Sequence, residues 1–139
     1  MSIELLSLEA KKKGIQLLAT GDCLHSKWIK EIKTMEKIDE GTYEMNNTRF
    51  ILSTEVEDNK RVHHLILFPS MSSALDFRNR MVSHSKNIDT DGRPNIAMNG
   101  EEIAQHAKDI EALIGPCHAF TPWTAIYKEY GSIGECYGD

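Results

Sequence analysis

Six residues in this sequence combine metal-ligating or proton-moving side chains with positions at or near the ends of predicted strands: Asp22, His25, Glu55, His63, His64 and His118. Imidazole and carboxylate together suit zinc or manganese, and a carboxylate shared between two cations is a common way to hold and activate water. Taken singly, each has an ordinary explanation. Asp22 reads as a turn residue capping the next helix, His25 as a helix-start histidine, Glu55 as a solvated strand end and His118 as a satisfied core histidine. Together they form a set, because ligands of α/β folds gather at the carboxyl ends of strands.

The elements that must position these residues follow from periodicity. Ile3, Leu5, Leu6, Leu8 and Ala10 precede Lys11, Lys12, Lys13 and Gly14, which predicts a helix with an abrupt start, a basic last turn and a glycine cap. Residues 15–19 read as a short buried strand running into the Thr20-Gly21-Asp22 turn. Trp28, Ile29, Ile32, Met35 and Ile38 recur at helical spacing and predict a helix over 26–38, ended by Gly41. Residues 49–57 and 61–68 are two extended runs whose short connection, 58–60, requires an antiparallel hairpin. A helix over 71–84, the polar loop 89–94 and a helix opened by a capping box at Asn99 and Glu102 come next. Gly115-Pro116 stops that helix, 117–120 reads as a short strand or strand end, and Thr121-Pro122-Trp123 begins a last helical segment toward Tyr130.

The hairpin places its histidines in one of two ways. A three-residue loop sets Glu55 opposite His63, and a two-residue loop, Asn59-Lys60, sets it opposite His64. Either way only one histidine joins Glu55; the other points into the layer behind, in a hydrogen-bonded structural role.

Composition narrows the function classes. The 139 residues, 40% hydrophobic and 27% charged, suffice for one globular domain. No apolar run reaches the roughly 18 residues of a membrane helix, and the first residues carry no signal-peptide pattern. Three cysteines at unrelated spacings argue for thiols that are free or near metal and for a cytoplasmic setting. The net charge of −5 arises C-terminally, where residues 101–139 hold two basic and seven acidic side chains. That balance argues against avid nonspecific DNA binding and leaves room for a metal-centred phosphate site. Thiol chemistry from Cys23 or Cys117, with His25 or His118 as base, lacks an orienting third group. Trp28 and Trp123 read as core or pocket-wall residues.

The segments TGDCLHSKW (20–28), ILSTEV (51–56), VHHLILFP (62–69), DGRP (91–94) and PCHAFTPW (116–123) resemble, in order and spacing, those of the endonuclease Q branch of the polymerase-and-histidinol-phosphatase (PHP) phosphoesterases. The resemblance implies an α/β fold, a partial distorted (β/α)7 barrel with one internal β-hairpin, as a single incomplete domain over residues 1–139. It implies a hydrolase that cuts DNA phosphodiesters near deaminated bases in DNA repair, with two or three Zn2+ or Mn2+ ions in the complete family domain and one or none here. Asp22, His25, Glu55, His63 and His118 match ligand positions, with His63 favoured over His64. Glu55 and His118 take catalytic roles, and Arg93 is the candidate phosphate contact. The opening His-x-His and closing Asp-x-His motifs of that family are absent, which implies truncation at both ends. The alternative is an inactive or split fragment needing a partner chain to complete the barrel, with self-association at open sheet edges.

Overall fold

The computed structural model describes residues 2–138. Ser2 accepts from the Leu5 amide and caps α1 (Ile3–Lys12), so the helix start that looked abrupt in sequence is capped, and Gly14 follows its end at φ +69°. β1 (Leu17–Ala19) leads through Gly21 and Asp22, both in the left-handed region, into α2 (Ser26–Ile32). That helix stops six residues short of expectation. Residues 36–45 instead form β2 (Glu36–Asp39) and β3 (Thr42–Met45), paired antiparallel, and Ile38, placed on the buried face by helical spacing, is 45% exposed. Asn46-Asn47, both at positive φ, turns β3 into β4 (Thr48–Glu57).

β4 is the spine of the sheet. Its first half pairs with β3 on one edge and with β1, in parallel, on the other. Its second half pairs antiparallel with β5 (His63–Phe68), and β5 pairs antiparallel with β6 (Leu113–Pro116). Between β5 and β6 run α3 (Met71–Met81), a 3₁₀ turn (Val82–His84), the 89–94 loop and α4 (Gly100–Asp109), which carries the expected capping box. β6 lies before Cys117, so residues 117–120 are not a strand, and the tail contains two short helices, α5 (Ile126–Glu129) and α6 (Ile133–Tyr137), rather than one segment from Thr121. The result is a mixed α/β fold on an open six-stranded sheet with three hairpin turns, where one was expected. No helix among the described residues is long and apolar enough to cross a membrane.

Strand alternation divides the sheet by chemistry. Phe50, Leu52 and Val56 of β4, with Ile66 and Phe68 of β5, join the helices in the main core, where Ile3, Ile32, Phe77, Met81 and Ile103 are buried. The opposite face carries Ser53, Glu55 and Glu57 of β4 and His63 and Leu65 of β5. The core face thus fixes the sheet while polar groups line its reverse.

Candidate metal centre

The hairpin register decides which side chains meet. Glu57 lies opposite His63, Val56 opposite His64 and Glu55 opposite Leu65, so the connection is the five residues 58–62 and neither expected register occurs. The cause is Asp58, whose carboxylate accepts from the amides of Lys60 (2.9 Å) and Val62 (2.8 Å) and orders a longer turn. Glu55, Glu57 and His63 still share one face, because the register differs from the three-residue loop by an even number.

His63 stands between two carboxylates. Its Nε2 lies 2.9 Å from Glu57 Oε2 and its Nδ1 lies 2.8 Å from Glu55 Oε1. Glu57 is nearly buried, bridged in parallel to Asn95, and also accepts from Asn95 Nδ2. Both carboxylates only accept, so each contact calls for a His63 ring proton; in the tautomer protonated on Nε2 toward Glu57, the Nδ1 lone pair faces Glu55. His118, at φ +28° after β6, points Nε2 at His63 Nδ1 from 3.0 Å and at Glu55 Oε1 from 3.8 Å. Its Nδ1 lies 3.1 Å from Thr121 Oγ1, whose own proton goes to the Trp123 carbonyl at 2.8 Å. His118 Nδ1 therefore donates to Thr121, and its Nε2 lone pair also faces inward.

Three acceptor atoms from Glu55, His63 and His118 thus converge, all within 4.8 Å of one another. Such convergence is repulsive unless positive charge sits among them, as a proton or a cation. Two nitrogens and one carboxylate oxygen suit Zn or Mn. Ligands of a tetrahedral zinc, each ~2.0–2.1 Å from the ion, stand about 3.3 Å apart, and the observed separations of 2.8, 3.0 and 3.8 Å bracket that spacing. Glu57 and Thr121 act as the outer partners that fix ligand tautomers in metal sites. These residues fit a divalent cation.

The other candidates lie around this group. Asp22 sits at φ +44° on a turn tied to β4 by the Cys23 amide donating to the Ser53 carbonyl (3.1 Å), and its carboxylate packs against Gly92. His25 caps α2, its Nδ1 accepting from the Lys27 amide at 3.2 Å. Neither enters the Glu55 cluster. Arg93 does approach it, with Nη1 3.6 Å from Glu55 Oε1. His64 faces the opposite side of the sheet, fully buried, with Nε2 3.2 Å from Asp58 Oδ2 and Nδ1 2.9 Å from Tyr137 Oη. Sequence reasoning missed Glu57, although residues two apart on a strand share a face, and it missed Thr121, for which periodicity gave no signal.

The thiols are unsuited to nucleophilic work. Burial holds Cys23 well above its ordinary range, and burial followed by the Glu55 carboxylate pushes Cys117 up to about 12. Neither is a thiolate near neutral pH.

No protein-family model matches the sequence. An uncharacterised protein of Methanocaldococcus jannaschii is 37% identical over 131 residues, 94% of this chain and 15% of that protein. The crystal structure of the lesion-specific endonuclease Q of Pyrococcus furiosus superposes with a TM-score of 0.97 at 48% identity, over all of this chain and 35% of that one. A complex of endonuclease Q with a 27-mer duplex substrate, an abasic lesion at its active site, gives a TM-score of 0.96 at the same identity and coverage. This chain is thus similar along its whole length, in sequence and in structure, to about a third of a lesion-specific DNA endonuclease.

Proposed function

We propose that this chain forms the cation-holding part of a PHP-type phosphoesterase domain acting as an endonuclease of the endonuclease Q kind, on DNA phosphodiesters beside deaminated or abasic nucleotides. The observation that carries the reading is the convergence of Glu55, His63 and His118, with Glu57 and Thr121 fixing the two rings. Glu55, His63 and His118 are the proposed ligands of Zn2+ or Mn2+, with Asp22 and His25 on the adjoining loop as outlying members of the same set. Glu55 and His118, the more exposed of the three, face the substrate side, and Arg93 beside Glu55 takes the phosphate. A divalent cation there supplies Lewis acidity to the phosphodiester and lowers the pKa of an attacking water. Glu57 and Thr121 hold the outward nitrogens of His63 and His118, which orients the inward nitrogens toward the cation.

The open sheet supports reading the fold as a partial barrel. Its helices cover one face and its ligands line the other, as in barrels whose interior meets the site. Leu17 of β1 and Leu113 of β6 are well exposed, which favours further strands or a partner chain beside them. The test is nicking of a duplex containing one abasic site or deoxyuridine, with Mn2+ or Zn2+ and with chelator. A cation-dependent nick at the lesion, lost in Glu55→Ala, is expected. Nicking that persists in chelator or in Glu55→Ala overturns the reading. Cation binding without nicking by the folded chain favours the fragment that needs a partner.

A further inference from the structure

The segment that carries His118 also carries the largest exposed aromatic surface of the molecule. Phe120 is 89% exposed and Trp123 71%, and Tyr127 is exposed beside them. The Phe120 and Tyr127 rings stack on each other, centroids 5.2 Å apart and planes 23° from parallel. Trp123 presents its ring next to Lys128, whose Nζ lies 5.1 Å from the ring centroid. Of the two sequence readings of Trp123, core or pocket wall, the structure rules out the core and sets the exposed ring on the wall of a surface groove.

The aromatic group is held firmly and close to the metal centre. The His63 amide donates to the Thr124 carbonyl at 3.0 Å, which ties the segment to the start of β5. Thr121 connects His118 Nδ1 to the Trp123 carbonyl, so ligand and indole share one hydrogen-bonded turn. Exposed rings gathered in one segment in this way mark an interaction surface.

Charge identifies the partner. Trp123 lines a groove of about 200 Å³ with Lys60, Arg61, Thr124, Lys128 and Glu129, three cations against one carboxylate, in a chain whose net charge is −5. Lys60 and Arg61 come from the hairpin turn and Lys128 from α5, so the fold gathers these cations from distant parts of the sequence. Flat exposed rings next to backbone-binding cations are how proteins hold unpaired nucleic acid strands. A base taken out of the stack for chemistry leaves neighbouring bases with exposed π-faces.

We infer that Phe120, Trp123 and Tyr127 form a stacking platform for unstacked nucleobases of the DNA strand whose phosphate reaches Glu55, His63 and His118, with Lys60, Arg61 and Lys128 on the adjoining phosphates. The inference rests on the nuclease reading for its choice of strand, and its test is independent of the cation. Binding is measured by fluorescence anisotropy, in chelator, with a labelled single-stranded oligonucleotide and with a strand of equal length built entirely of abasic residues. The platform predicts that the abasic strand binds at least about tenfold more weakly at equal charge, and that Trp123→Ala and Phe120→Ala each weaken the normal strand about tenfold. Trp123→Phe retains most of the affinity, and bound DNA quenches Trp123, whereas Trp28, which donates Nε1 to the Thr20 carbonyl, is unaffected. Circular dichroism confirms that the surface variants are folded. Equal binding of the two strands, or wild-type affinity in both alanine variants, overturns the inference. So does a dimer that Trp123→Ala dissociates without changing DNA binding, because the patch then faces protein. If cation uptake fails while stacking persists, the metal reading falls alone; if stacking fails while cation uptake persists, only the platform falls.

Discussion

Removing the Asp58 carboxylate tests how the reverse of the hairpin holds the metal face in register. Asp58 is nearly buried and accepts four hydrogen bonds: from the Lys60 and Val62 amides at 2.9 and 2.8 Å, from Tyr130 Oη at 3.0 Å and from His64 Nε2 at 3.2 Å. Asp58→Ala leaves three of these donors in a buried setting, since only the Lys60 amide has ready access to water. At about 1–3 kcal/mol for each buried donor left unpaired, and with partial relaxation, the loss is about 3–5 kcal/mol. That is a large share of a typical domain stability of about 5–15 kcal/mol, and at about 3 °C per kcal/mol it lowers Tm by about 10–15 °C. Tyr130→Phe leaves the carboxylate three donors and removes the oxygen that accepts from the Gly100 amide at 3.3 Å, so its cost is about 1–2 kcal/mol. pH adds a second signature. Burial pushes the Asp58 carboxyl up, but the hydrogen bonds from His64, Val62 and Tyr130 outweigh burial and hold it below its ordinary value. A carboxyl lowered by folding stabilises above its unfolded pKa, about 3.9, and that contribution is lost as pH falls through the lower folded value. The carboxyl's own contribution to the gap between wild type and Asp58→Ala is therefore present above about pH 4 and lost below it. Urea denaturation followed by circular dichroism across that range is the assay. A cost under about 1 kcal/mol, or a gap that closes well above pH 4, refutes the reasoning.

Three further predictions follow from the geometry. Glu57→Gln keeps the shape next to His63 but loses the charged acceptor, so cation affinity measured by competition with a chromogenic chelator falls about 10–100-fold while the melting curve shows a folded chain. Unchanged affinity removes Glu57 from the account. Gly100→Ala sets a Cβ 2.5 Å from Cys136 Sγ and 2.8 Å from the Cys136 carbonyl oxygen. The clash lifts α6 from α4, and Cys136, fully buried in the wild type, then reacts with a thiol reagent at a measurably higher rate. Cys117, pushed up to about 12 by burial and Glu55, reacts with iodoacetamide at pH 8 at least 100-fold more slowly than a free thiol, a ratio that mass spectrometry reads directly.

Sequence patterns located the elements that rely on local signals. Asn99 caps α4, and the Asn99–Glu102 capping box forms as the residues suggest. Of the two loop lengths left open, the three-residue one set Glu55 and His63 on one face, and that parity survives an error of two residues in register. The errors lie where a local pattern had two readings. Met35 and Ile38 fit a helix continuing past Ile32, but Gly41, at φ +64°, and the Asn46-Asn47 turn fold that stretch into strands. The 58–62 turn depends on the Asp58 side chain binding backbone amides, and its burial depends on Tyr130, 72 residues away. Trp123 and Phe120 resemble core residues by type, and only the fold shows that no layer among the described residues covers them.

The central claim is that Glu55, His63 and His118 hold a divalent cation. Elemental analysis of chelator-washed protein reloaded with Zn2+ or Mn2+, beside Glu55→Ala and His118→Ala, tests it most directly. The account predicts about one tightly held ion per folded wild-type chain and its loss from both variants, because each removes one of the three converging atoms. A folded wild-type chain that retains no ion, or variants that retain it undiminished, contradicts the account.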